Sequence, residues 1–189
     1  METNRNPKMM RVMHRGLAVL GISLAMIGCA PKEESMTEKN AVPGIRMPFI
    51  YNFCNDIEAV RNFYVKQLGM TEKAYQNTKD FGWLNLDGGG FEFMYFRVAE
   101  PVPEREFAGQ PGDGGGNGLQ TSWSVVVPEG EFGATYQRLR EAKVRAMTET
   151  PTWRQGSYWG YTVMDPAGNT VEVYATPKER PASTTWPGK

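Results

Sequence analysis

The stretch MDPAGNTVEVYA, residues 164–175, combines a turn with a strand. Pro166 presets φ for the first corner of the turn, and Gly168 accepts the left-handed conformation. In the strand that follows, the two valines fall on one face and Glu172 falls on the other. An acid in the middle of an apolar strand is either an edge charge that discourages aggregation or a functional side chain.

The same order of elements occurs twice in the chain. The first half predicts a strand, a helix and three strands, near residues 47–53, 56–68, 71–76, 81–86 and 91–97. The second half predicts the same elements near residues 122–127, 131–143, 144–149, 158–164 and 170–175. Glu92 has the same place in the first half as Glu172 in the second. An internal repeat of about 70–75 residues therefore predicts two βαβββ modules.

Two segments resemble motifs of a known superfamily. Residues 165–172 resemble its closing DPxGNxxE turn and strand, and residues 52–70 resemble its opening strand and helix, VxDxxxxxxFYxxxLG, through Asp56, Phe63-Tyr64 and Leu68-Gly69-Met70. Over residues 45–177 the chain resembles the vicinal oxygen chelate superfamily, which includes glyoxalase I and the bleomycin-resistance proteins. The resemblance implies an α+β fold, in which two tandem βαβββ modules form a curled mixed sheet around a shared cavity.

The chain is divided by composition and by this resemblance. We expect a signal peptide, a flexible tether, the folded domain and a loose tail, at residues 1–28, 29–43, 44–177 and 178–189. The modules are residues 44–98 and 119–177. Residues 99–118 between them are rich in Gly and Pro, which is typical of a linker or of a mobile flap over a site.

The first residues predict an address in the cell envelope. A basic segment precedes the apolar run 16–27, which is too short for a membrane span and is typical of a signal peptide. Cys29 directly after Gly28 resembles the bacterial lipobox, which implies a lipid anchor on Cys29. Ala30 resembles the pattern of lipoproteins sent to the outer membrane, facing the periplasm in a Gram-negative cell. The alternative is an ordinary secretory peptide with an incidental cysteine.

Charge and cysteine content exclude two classes of protein. Removing residues 1–28 takes away four of the 21 basic and one of the 21 acidic side chains, which leaves a formal charge of −3. The remaining chain has no basic patch, which argues against nucleic acid as a partner. Cys54 is the only cysteine besides Cys29. Without a disulfide framework, the hydrophobic core must hold the domain together.

The metal site implied by the resemblance is incomplete. In metalloenzymes of this superfamily, two strand-borne His or Gln residues and two Glu residues meet in the cavity, and Glu92 and Glu172 match the second pair. The first pair falls on Phe49 and near Ser122, while the only histidine is His14 in the signal peptide. Zn, Ni and Fe sites depend on imidazole or thiolate ligands. We therefore expect no cofactor, although two carboxylates and water could hold Mg or Mn.

Aromatic residues on the predicted strands point to a ligand pocket. The candidate ligand-binding residues are Phe49, Tyr51, Met94, Ser122, Trp159, Tyr161 and Tyr174. Aromatic side chains stack flat or cationic molecules, but in a small β-rich domain they also build the core.

These features favour a binding protein over an enzyme. We expect an envelope-anchored protein that binds a small organic ligand in an aromatic cavity without a complete metal site, as bleomycin-resistance proteins do. The alternative is a lyase or isomerase in which Glu92 and Glu172 are catalytic, through Mg or Mn or as an acid–base pair. A third class is a partner-binding module, with the aromatic faces packed between two copies in a homodimer.

Overall fold

A computed structural model describes residues 46–110, 116–118, 120 and 122–188. The predicted signal peptide and tether, together with Cys29, lie outside these residues, as does part of the predicted linker. Among the helices that the structure describes, none has both the length and the apolar character needed to cross a bilayer.

The first module contains one helix and four strands. The strands are β1 (Phe49–Cys54), β2 (Glu72–Asn77), β3 (Gly82–Asp87) and β4 (Glu92–Arg97), and helix α1 (Ile57–Arg61) continues as a π-helical segment (Asn62–Gln67). The strand order is β1-β4-β3-β2, with β1 parallel to β4. Asp56 begins the helix because its carboxylate accepts the N–H of Ala59 at 2.9 Å. Gly69, at φ 82°, supplies the left-handed residue after the helical segment.

The second module repeats this arrangement. Its elements are β5 (Ser122–Val126), α2 (Glu129–Glu141), β6 (Thr152–Arg154), β7 (Tyr158–Met164) and β8 (Thr170–Ala175). The strand order is β5-β8-β7-β6, with β5 parallel to β8. The predicted α+β fold with two tandem βαβββ modules is confirmed. The two four-stranded mixed sheets remain open, and neither closes into a barrel.

The sixth strand is the one element that the sequence misplaced. We expected it near residues 144–149, but there only Ala146 forms an isolated bridge, to Val163 of β7. The strand lies instead at β6, which pairs with β7 in a short hairpin. Gln155 and Gly156 turn this hairpin with φ values of 49° and 68°. A non-glycine residue at positive φ is uncommon, so propensity gives little sign of this turn.

One hydrophobic core lies against one face of each sheet and both helices. The face of β4 that carries Phe93 and Tyr95 points into this core, and so does the face of β8 that carries Val171 and Val173. The helical segments add Val60, Phe63, Tyr64, Phe132, Tyr136 and Leu139. Because side chains alternate along a strand, Glu92 and Glu172 lie on the opposite faces of their sheets. These are called the Glu92 face and the Glu172 face below.

The predicted linker and tail are tied to the domain in places. The N–H of Ala108 donates to the hydroxyl of Thr170 at 2.8 Å, which brings the linker onto the end of β8. In the tail, the Trp186 ring lies 5.4 Å from that of Phe132 and 5.1 Å from that of Trp159. Packing of this kind restrains residue 186, so the tail is not loose along its whole length.

Candidate functional site

Glu92 is held by two side chains of its own module. Its carboxylate accepts the ammonium of Lys73 at 2.8 Å and the amide Nδ2 of Asn85 at 2.6 Å. The hydrogen bonds from Lys73 and then Asn85 lower the pKa of Glu92, and the carboxylate in turn raises the pKa of Lys73. Glu92 is therefore a charged group with an internal counter-ion. Among the described residues, the cavity beside it, of about 270 Å³, is lined by the first module and by the segment just before β1.

The Glu92 face carries a continuous row of aromatic rings. Phe49 stacks on Tyr51 with ring centres 5.9 Å apart, and Phe96 lies 6.0 Å from Tyr51 and 6.5 Å from Phe53. The three β1 rings stay 41%, 56% and 57% exposed, in chain order. Apolar surface of this extent is uncommon on a monomer unless it binds something.

The Glu172 face has a different character, because its acid is buried in an ion pair. The guanidinium of Arg154 donates to Glu172 at 2.9 Å and to the hydroxyl of Thr162 at 2.9 Å, and Tyr158 donates to the same carboxylate oxygen of Glu172 at 3.1 Å. The Arg154 side chain passes directly over Gly160. A Cβ atom added to Gly160 would lie 2.8 Å from the Cδ of Arg154. Arg154 is 1% exposed and Glu172 7% exposed. This pairing offsets the cost of burying each charge.

Glu92 and Glu172 do not share a hydrogen-bond partner or a cation among the described residues. They lie in different sheets, and each is bonded to its own cation, Lys73 or Arg154. Within the described parts of the chain, no group of three or more His, Cys, Asp or Glu side chains is placed to hold a metal ion. A divalent metal would have to displace a bound cation from each carboxylate, so this donor set does not fit one as it stands.

The strand register revises one expected position. Phe49 lies opposite Glu92 in the parallel pair of β1 and β4. In the second module the residue opposite Glu172 is Ser124, whereas Ser122 lies opposite Thr170. The position that the sequence placed near Ser122 therefore belongs to Ser124, two residues further along the same face.

The predicted ligand-binding residues fall into three groups. Phe49, Tyr51 and Met94 lie on the Glu92 face, and Ser122 and Tyr174 lie on the Glu172 face. Trp159 and Tyr161 lie in the hydrophobic core, because the alternation of β7 points them toward helix α2 and the tail. There Tyr161 packs against Tyr136 of α2, and Trp159 packs against Trp153 and Trp186.

A buried polar cluster joins the two modules and was missed by the sequence analysis. Asp165, 3% exposed, accepts the hydroxyls of Tyr64 at 2.8 Å and Tyr95 at 2.5 Å from the first module. The Tyr64 hydroxyl in turn accepts the indole N–H of Trp123 at 3.2 Å. Burial is the main cause that raises the pKa of both tyrosines well above the usual range, so they remain neutral donors. The turn motif predicted the local conformation of Asp165 but not these long-range bonds.

The fold resembles several solved structures. A glyoxalase/dioxygenase from Nostoc punctiforme is 18% identical, with a TM-score of 0.50 over 73% of this chain and 100% of that one. The fosfomycin resistance protein FosX from Listeria monocytogenes is 13% identical, with a TM-score of 0.51 over 74% and 98% of the two chains. A lactoylglutathione lyase from Agrobacterium tumefaciens is 18% identical, with a TM-score of 0.47 over 71% and 96%. At these identities the likeness shows the fold alone.

The sequence also matches a family model, described as the glyoxalase/bleomycin resistance protein/dioxygenase superfamily, over residues 47–173. A comparison with curated proteins finds no match. The family match covers more than half of the chain and contains both modules, including Glu92 and the buried Glu172. The chain therefore belongs to the glyoxalase/bleomycin resistance protein/dioxygenase superfamily.

Proposed function

We propose that this protein binds a small organic molecule on the Glu92 face, without a bound metal, and does so at the bacterial cell envelope. The observation that carries the proposal is the exposed aromatic row of Phe49, Tyr51 and Phe53 beside the ion pair of Glu92 and Lys73. Flat rings next to fixed polar groups are what a pocket for a small organic molecule needs.

The polar groups of this face are suited to orienting a ligand. Glu92 fixes the amide of Asn85, because the carboxylate can only accept and therefore takes Nδ2. The other amide atom, Oδ1 of Asn85, is buried and has no hydrogen-bond partner among the described residues. Leaving a buried acceptor of this kind without a hydrogen bond costs free energy. A ligand that donates a hydrogen bond to Asn85 would satisfy it once the overlying side chains make room.

Binding is a better proposal than acid–base catalysis. A general base works best with a pKa near the operating pH. The pKa of Glu92 is lowered by Lys73, and Glu172 is neutralised by a buried arginine. Each carboxylate is therefore stabilised in its charged form by a basic partner, which argues against its use as a general acid or base in a lyase or isomerase.

We also propose that a second copy covers the Glu92 face and completes the site. Members of this superfamily commonly bind small molecules and form dimers. A face with three large exposed rings on an edge strand is poorly suited to a monomer in water. Sedimentation of the wild type against Tyr51→Arg tests this, and a monomeric mass for both at all concentrations would contradict it.

Localisation to the cell envelope is a separate proposal that rests on the sequence alone. If Cys29 carries lipid, the intact mass of the mature protein includes diacylglycerol, and Cys29→Ser abolishes membrane fractionation. An intact protein that begins at another residue and carries no lipid would contradict the anchor. This outcome would leave the ligand proposal untouched.

The ligand proposal is tested by thermal unfolding of chelator-treated protein. We expect planar organic molecules to raise the melting temperature with no metal added, because binding to the folded state stabilises it. Phe49→Ala should abolish the shift. Glu131→Ala, which alters an exposed residue of helix α2 in the second module, should retain it.

Metal addition gives the contrary outcome. Mg, Mn, Fe, Ni and Zn are added separately, and bound metal is measured after desalting. Stoichiometric metal that is lost in Glu92→Gln would overturn the metal-free proposal and support the enzyme alternative.

A further inference from the structure

A second cleft lies between the two modules and shares Asp87 and Phe91 with the cavity beside Glu92. It has a volume of about 330 Å³ and opens between β1, the β3–β4 turn and the edge strand β5. Its apolar wall consists of Ile50, Met70, Phe91, Phe93, Trp123 and Val125. Ile50 and Phe93 belong to the core face of the first sheet, so this wall lies on the other side of the sheet from Glu92. The volume is at the lower end of the roughly 300–1,000 Å³ that is typical of small-molecule sites.

Three aromatic rings give this cleft a fixed shape. The rings of Phe91 and Phe93 lie 6.5 Å apart at 87°, and those of Phe93 and Trp123 lie 5.2 Å apart at 70°. The indole N–H of Trp123 already donates to Tyr64, which holds the ring in place from the core side. The cleft therefore offers ring surface without requiring these side chains to become ordered on binding.

A carboxylate stands at the mouth of the cleft. Oδ1 of Asp87 accepts the backbone N–H of Gly89 at 2.8 Å, which orients the group. Its other oxygen has no hydrogen-bond or ion-pair partner within the part of the chain that the structure describes. Lys73, whose pKa is raised mainly by its hydrogen bond to Glu92 and also by the charge of Asp87, forms its ion pair with Glu92. Asp87 thus differs from Glu92 and Glu172, which both have cations of their own.

We propose that this cleft binds a small organic amine, with its ring body against Phe93 and Trp123 and its ammonium group at Asp87. Ring faces attract cations and bury apolar bodies, and the open carboxylate oxygen supplies the opposite charge. The same surface disfavours an anion, because Asp87 would repel it. Its apolar wall is separate from the exposed rings of the Glu92 face, although the two cavities share Asp87 and Phe91 at their common edge.

The test uses three probes that share one ring system. The purified full chain is titrated by calorimetry with 1-naphthylmethylammonium, 1-naphthalenemethanol and 1-naphthoate. We expect saturable one-to-one binding of the ammonium probe, weaker binding of the alcohol and no binding of the carboxylate. In nitrogen-15 spectra, the indole signal that is absent in Trp123→Phe should shift with the ammonium probe.

Matched variants separate this cleft from the rest of the surface. Asp87→Asn keeps an oxygen for the N–H of Gly89, and should weaken the ammonium probe about five- to tenfold while leaving the alcohol unchanged. Asp80→Asn, an exposed acid of the same module, should bind like the wild type. Unchanged ammonium affinity in Asp87→Asn, or equally tight binding of the carboxylate, would overturn the proposal. If Phe49→Ala loses binding of the ammonium probe while Asp87→Asn keeps it, the probe binds on the Glu92 face, and this result would also overturn the proposal.

Discussion

The bonds from Tyr64 and Tyr95 to Asp165 provide a sharp test of how the two modules are held together. Both hydroxyls donate to the same carboxylate oxygen, at 2.8 and 2.5 Å. They differ in what they accept. Tyr64 accepts the N–H of Trp123 at 3.2 Å, whereas Tyr95 accepts a longer contact of 3.4 Å from Asn169. The 3.0 Å contact between the two hydroxyls is lost in either substitution. Removing each hydroxyl by substitution to Phe should therefore have unequal effects.

The expected magnitudes follow from these partners. Tyr95→Phe removes one hydrogen bond to a charged group, which costs about 1.5–3 kcal/mol of unfolding free energy. Asp165 still keeps the N–H groups of Ala167 and Asn169 and the Tyr64 hydroxyl. Tyr64→Phe removes an equivalent bond and also leaves the indole N–H without an acceptor, which adds about 1–3 kcal/mol. Tyr64→Phe should thus be the more damaging change.

Urea unfolding followed by circular dichroism measures both changes. The loss of unfolding free energy in the double variant should differ from the sum of the two single losses by about 0.5–3 kcal/mol, because the two hydroxyls share one acceptor. Tyr51→Phe is the matched control, since this exposed hydroxyl has no bonded partner among the described residues, and should change stability by less than about 0.5 kcal/mol. Losses below that limit for both buried tyrosines, or a larger loss for Tyr95→Phe, would refute the reasoning.

Three further predictions concern stability. Arg154→Met leaves the Glu172 carboxylate buried without its cation and should cost about 3–5 kcal/mol in urea unfolding, whereas Arg154→Met with Glu172→Leu should recover much of the loss. Gly160→Ala places a methyl group 2.8 Å from the Arg154 Cδ and should cost about 1–3 kcal/mol; an unchanged melting temperature would contradict that contact. Burial raises the pKa of Cys54 to about 12, so the folded thiol keeps its proton while the unfolded chain loses it. Stability should therefore fall by up to about 1.4 kcal/mol per pH unit from about pH 8.5 upward, and Cys54→Ala should flatten this fall below pH 10.

The sequence predicted the fold because its main signals are local. Strand alternation, the cap that Asp56 gives helix α1 and the positive φ of Gly69 each depend on neighbours within a few residues. The repeat then ordered the elements into two modules. The prediction of the sixth strand failed because its short hairpin depends on pairing with β7 and on a positive φ at Gln155, which are not local signals of this kind.

The candidate site was harder to predict because its decisive contacts are long-range. Glu172 was identified as unusual, but its cation, Arg154, lies 18 residues earlier in the chain and on another strand. Glu92 and Lys73 are separated by 19 residues. Alternation separates the two faces of β7 but does not show which of them meets a helix. Only the packing of α2 reveals that Trp159 and Tyr161 belong to the core.

The two glutamates make the strongest case for separating the fold of this protein from the chemistry of its superfamily. Each lies on the last strand of its module, where the resemblance implies a metal ligand, and each is bonded to a basic side chain of its own module. A lysine or arginine balances the charge of the carboxylate as a metal ion would. Unlike a metal ion, it has no vacant coordination position at which a substrate or a water molecule could be activated. The binding proposals therefore rest on other groups of the same scaffold. The exposed rings of β1 and the carboxylate of Asp87 at the cleft are the groups that remain open for it.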